Sequence, residues 1–327
     1  MKVKIRDLDK DLRAMGVIAK IFMSSVPKKK GKAHNSQPSN PSAWNRTKKL
    51  PNSKYVPRGD GTDLRILVLE SENRNRSKLV PGILWIHGGG YALGSPERIL
   101  YLMPKVILKE RESVIVSPEY RLSVEKPYPA ALEDCYQTLV WMKDHAKELG
   151  IRDDQIFVGG ESAGGGLAIA LCLYARDKAE VNVAFQMPMY PMIDDRLTTD
   201  SMKDNNAPIW NVKQNIAAWN LYLEGVDREN VPQYAAPARE TDYRNLPPAV
   251  TFIGGVDAFR DETLEYVEHL KQAGVPVDFK LFKGSFHSSE AMAPWAKSSK
   301  EAVEFFMSSY DYACNNYFRP QKQGETK

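Results

Sequence analysis

The chain has little cysteine. Only Cys135, Cys172 and Cys314 occur in 327 residues, far apart and odd in number. That excludes a closed disulfide framework and a cysteine-built zinc site, and it predicts a reducing compartment, the cytoplasm. Long apolar runs are missing too. Nothing approaches the roughly 18 consecutive apolar residues of a membrane span. Ile18 to Phe22 is short and broken by Lys20, so neither membrane insertion nor a secretory leader is expected. No P-loop and no G-x-G-x-x-G stretch is present, which argues against a nucleotide cofactor. No metal and no other cofactor are expected. Histidine is scarce, with five in the whole chain. Internal repeats are absent.

What is present suits a large α/β protein. A hydrophobic content of 43% is enough to build a sizeable core. Charge is uneven: residues 1–60 hold 15 Lys/Arg against 4 Asp/Glu, and the remainder is net acidic. The basic run Lys28-Lys29-Lys30-Gly31-Lys32 has no aromatic interleaving, so it reads as a solvated linker and no nucleic-acid partner is expected.

The chain then falls into a rhythm. Residues 7–23 carry apolar positions at helical spacing, and 24–55 read as an extended loop. Leu64 to Leu69 is a predicted strand, with Glu72 to Lys78 as a hairpin tip. Short apolar strands follow at 82–87, 113–117, 156–158, 183–190, 249–254 and 277–282. Helices are predicted over 99–109, 130–147, 167–175, 261–273 and through 301–307. This alternation predicts a mostly parallel sheet covered on both faces, with its site at the carboxyl ends of the strands. Residues 194–239 break the rhythm and contain an aromatic-rich helix over 210–225.

Chemistry concentrates at Gly160-Glu161-Ser162-Ala163-Gly164, between a strand and a helix. A serine on such a turn is either a nucleophile at an elbow or an N-cap. Serine needs a base, and the base needs an orienting acid. His34 lies in the linker, and His145 and His269 lie in helices. His87 precedes three glycines and reads as a scaffold for that loop. His287, on the loop after the last strand, is the candidate base. Asp257 follows a strand end closely and is the candidate acid. Asp261, better suited to capping a helix, and the pair Asp194 and Asp195 are its rivals. Backbone N–H groups of Gly88, Gly89 and Ala163 are candidate donors to an oxyanion. Tyr91, Tyr190 and Trp210 are candidate pocket residues.

Taken together, His87-Gly88-Gly89-Gly90, Gly160 to Gly165, the stretch Tyr120-Arg121-Leu122 through Asp134, and Asp257 to Glu262 resemble the hormone-sensitive-lipase-like esterases, the bacterial family IV branch of the α/β hydrolases. The resemblance covers residues 55–310. Glu161, Ala258-Phe259 and Ser288-Ser289 depart from the family's usual residues. It implies hydrolysis of short-chain acyl esters without a metal, and a helical cap over an α/β-hydrolase core. The expected division is 1–54 as N-terminal helix and basic linker within the cap, 55–193 and 240–327 as core, and 194–239 as cap insertion. A small-molecule ester is the expected partner, and dimerisation is compatible with the sequence. An amidase or thioesterase using the same residues is an alternative, as is a non-catalytic small-molecule receptor on the same scaffold.

Overall fold

A computed structural model describes residues 1–22, 52–101 and 103–322. The basic run at 28–32, His34 and the expected loop up to residue 51 lie outside the described residues.

Among the described residues the strands form one eight-stranded sheet: β1 (Ser53–Pro57), β2 (Asp63–Glu70), β3 (Val80–Ile86), β4 (Val114–Pro118), β5 (Ile151–Glu161), β6 (Phe185–Met189), β7 (Ala249–Gly254) and β8 (Val277–Phe282), in the order β1-β2-β4-β3-β5-β6-β7-β8. From β4 to β8 all pairings are parallel, while β1–β2 and β2–β4 are antiparallel. Strands β4, β6 and β7 are buried throughout, which is why they read as largely apolar runs.

Two expectations need correction. The loop at 72–78 does not close a hairpin, because β4 lies between β2 and β3. The chain leaves β3, runs through α2 (Met103–Glu110) and returns parallel to it. The end of the expected loop is instead an edge strand, β1. Its partner β2 supplies the register that its short, polar sequence does not advertise.

Helices α3 (Ala130–Asp144), α4 (Ala146–Leu149), α5 (Ala163–Lys178), α7 (Arg260–Gln272) and α8 (Lys297–Asn316) flank the sheet. The N-terminal helix is shorter than its pattern. Two 3₁₀ turns at Ile5–Asp7 and Lys10–Leu12 precede α1 (Arg13–Phe22). Residues 194–239 contain one α-helix, α6 (Val212–Tyr222). A second apolar cluster joins Val3, Leu8 and Leu12 to Ala207, Val256, Phe286, Ala293 and Ala296. It links the N-terminus, the 194–239 segment and the loops after β7 and β8.

Candidate active site

Strand β5 ends at Glu161 and α5 begins at Ala163, so Ser162 alone makes the turn. Its φ is +59° and its ψ −121°, a strained conformation for a residue with a Cβ. Three backbone bonds hold it there. Its N–H donates to Met189 O at 3.0 Å, and its carbonyl accepts from Gly166 and Met192, both at 3.0 Å. Gly164 makes the turn possible, since a Cβ at that position would run into the backbone carbonyls of Ile86 and His87.

Loops after β7 and β8 deliver the other two groups. His287 Nε2 lies 2.9 Å from Ser162 Oγ, and its Nδ1 lies 2.8 Å from Asp257 Oδ2. All three side chains are buried. With Nδ1–H donating to the carboxylate, Nε2 is left to accept the serine proton, which is the tautomer a general base needs. The second carboxylate oxygen of Asp257 accepts the Phe259 N–H at 3.0 Å, so the acid is fixed at both oxygens.

The rival acids have other work. Asp194 pairs with Arg196 and Asp195 with Arg239, each at 2.7 Å. Asp261 sits inside the first turn of α7 rather than at its cap, where it accepts the Ser201 N–H at 2.7 Å and pairs with Arg260.

Among the described residues each remaining histidine is spoken for. His145 stacks on Trp141 and His269 on Tyr243. His87 stacks on Tyr120 at 4.2 Å, its Nδ1–H donates to Gly88 O, and its carbonyl accepts the Tyr120 hydroxyl. Burial pushes its pKa down to about 3, so it is neutral and scaffolds the glycine loop.

That loop corrects one expected donor. The Gly88 N–H already donates to Glu161 Oε1 at 3.0 Å. The same carboxylate accepts from Trp85 Nε1 at 2.7 Å and pairs with Arg98 at 3.3 Å. Among the described residues, the amides of Gly89, Gly90 and Ala163 donate to no protein acceptor. Gly90 was missed in the sequence, although it is the third glycine of the run.

The pocket candidates divide. Trp210 lies 6.3 Å from the His287 ring and against Gly90. Tyr91 is corrected to core, because its hydroxyl donates to Met192 O and its ring stacks on Tyr222 at 3.9 Å. Tyr190 lies 4.9 Å from the His287 ring. It is buried, and its hydroxyl donates to Glu290 Oε1 at 2.6 Å. Glu290 escaped sequence reasoning, and its position three residues after His287 was the only available signal.

A family model described as alpha/beta hydrolase fold matches residues 83–290. The chain is similar to Esterase LipI of Mycobacterium tuberculosis, 35% identical over 225 residues that make up 68% of this chain and 70% of that protein. It is similar to Carboxylic ester hydrolase LipN of the same organism, 32% identical over 213 residues, 63% of this chain and 56% of that one. Among solved structures it is similar to a bacterial heroin esterase, with 33% identity, a TM-score of 0.82, and coverage of 95% of this chain and 99% of the other.

Proposed function

Because the chain belongs to the α/β-hydrolase-fold family, among its hormone-sensitive-lipase-like esterases, and is a carboxylic ester hydrolase, we propose that it acts through an acyl-Ser162 intermediate on short-chain acyl esters. The observation that carries this reading is His287, which reaches Ser162 Oγ with one ring nitrogen and Asp257 with the other. Ser162 Oγ attacks the ester carbonyl carbon as His287 Nε2 takes its proton. The imidazolium, stabilised by Asp257, returns that proton to the leaving alcohol oxygen as the C–O bond breaks. Water then attacks the acyl carbon, again through His287, and the carboxylic acid departs.

The negative oxygen formed in both steps needs donors that are already in place. The free amides of Gly89, Gly90 and Ala163 supply them, the last at the positive end of α5. Residues 194–239 and the N-terminal segment serve as a cap. Trp210 and Ala218 lie against Gly90 from the cap side, which favours small acyl groups. No helix among the described residues is long and apolar enough to cross a membrane. Three free cysteines suit the cytoplasm.

A panel of p-nitrophenyl esters of increasing acyl length, run on the wild type and on folded Ser162→Ala, tests the reading. Turnover should vanish in the variant and decline with acyl length in the wild type. Full turnover in the variant would remove Ser162 as nucleophile. Matching anilides and thioesters separate the esterase from an amidase or a thioesterase.

A further inference from the structure

The base in a serine hydrolase must keep one ring orientation while a proton passes through it twice. Three aromatic rings surround His287: Tyr190 with ring centres 4.9 Å apart, Phe259 at 5.2 Å and Trp210 at 6.3 Å. Phe259 is tied down by its N–H bond to Asp257, and Trp210 by its indole N–H bond to Asn215 at 3.2 Å. Tyr190 meets His287 edge to face at 73°, and it carries a hydroxyl at its buried far end.

The base loop itself answers that hydroxyl. Glu290 Oε1 accepts it at 2.6 Å, and Ser288 Oγ lies 3.3 Å from it. Both residues lie within three positions of His287. The Tyr190 backbone is fixed independently, because its N–H donates to Phe252 O of β7 at 3.1 Å. The loop therefore folds back to grip the ring that flanks its own histidine, and it is anchored there to the sheet.

We propose that Glu290 is a positioning residue for the reaction: by fixing the Tyr190 hydroxyl it holds the His287 loop and ring in line between Asp257 and Ser162. This rests on the reading of His287 as base. Glu290 does not touch the ester. It acts through Tyr190, so its loss affects the reacting geometry more than substrate binding.

The test compares Glu290→Leu, Glu290→Gln, Tyr190→Phe and the Tyr190→Phe/Glu290→Leu double variant on one p-nitrophenyl ester. Glu290→Leu and Tyr190→Phe should each lower kcat about ten- to hundredfold, the scale of a sub-ångström misplacement, with KM within about twofold. Glu290→Gln keeps an acceptor and should recover most of that loss. Both single variants break one bond, so the double variant should fall no further. If Glu290→Leu misfolds, Tyr190→Phe still reads the bond by removing one oxygen. Unchanged kcat, losses confined to KM, or additive losses would overturn the proposal.

A second readout does not depend on turnover. The proton NMR signal of His287 Nδ1–H should shift or broaden in Glu290→Leu and be restored in Glu290→Gln. If Ser162→Ala keeps its activity, the mechanism fails, while this signal still judges the positioning role. An unmoved signal in Glu290→Leu overturns it.

Discussion

The backbone N–H of Asp9 donates to the carbonyl of Gly284 at 3.1 Å, joining the first turns of the chain to the loop that carries His287. Around this bond, Leu8 and Leu12 pack with Phe286 and Val256, the residues immediately before His287 and Asp257. The N-terminal segment thus supports the neighbours of both the proposed base and the proposed acid.

Truncating that contact should be felt across the domain. Leu12 is fully buried, so Leu12→Ala should lower unfolding free energy by about 2–5 kcal/mol. Ile21, in the following helix α1 and 68% exposed, should tolerate Ile21→Ser within about 0.5 kcal/mol. Urea unfolding curves distinguish the two. Equal midpoints for both variants would mean that the segment does not anchor the loops.

The choice of acid is open to direct comparison. Asp257→Asn should cut kcat by about 10⁴, as loss of the orienting carboxylate does in a serine triad. Asp261 already serves Ser201 and Arg260, and Asp261→Asn should cost less than about tenfold. A larger loss at 261 would exchange their roles.

The elbow tolerates no added carbon at 164. A methyl group there overlaps main-chain atoms of Ile86 and His87, which cannot rotate away as a side chain would. Gly164→Ala should destabilise by about 1–3 kcal/mol or more and reduce turnover with it. Calorimetry showing an unchanged melting temperature would contradict the packing described.

Glu290 should make stability depend on pH. Burial raises its carboxyl from 4.5 to about 7, opposed by the Tyr190 hydroxyl and by His287 and reinforced by Glu161. The folded chain therefore keeps this proton to higher pH than the unfolded chain does. Its contribution is complete below about pH 4.5 and is lost as pH rises through about 7, a swing of roughly 3 kcal/mol. Glu290→Gln removes the titration, so its stability relative to wild type should be higher at about pH 8 than at about pH 5. Thermal melts at both pH values check this, and a constant difference would refute it.

Sequence periodicity located most strands, because β4, β6 and β7 are buried along their whole length and are largely apolar. Strand order was less legible. Which strand lies beside β3 depends on the path of the chain through α2, and short-range pattern does not encode that path. Ser162, Asp257 and His287 could be singled out because each follows a strand end and the carboxyl ends of a parallel sheet lie together. Gly88 shows the opposite case. Its residue type fits a donor, but its amide is consumed by a side chain 73 positions away. Tyr91 and Tyr190 were equally ambiguous, since an aromatic residue beside a site lines a pocket or fills a core according to where its hydroxyl finds a partner. The start of α7 at Arg260 makes Phe259 the cap, so Asp261 falls two residues past the capping position.

The Glu161 carboxylate has a consequence for anyone altering this enzyme. It links Trp85 on β3, Gly88 in the glycine loop and Arg98 beyond it to the residue preceding Ser162. Residues 87–90 are therefore not an exchangeable module. A loop transplanted from a relative with a different side chain at position 161 would arrive without its tether, and recombination experiments should move positions 85, 98 and 161 together with it. The unit of inheritance here is a bonded set scattered along the chain, and library designs that cut between 90 and 161 would divide it.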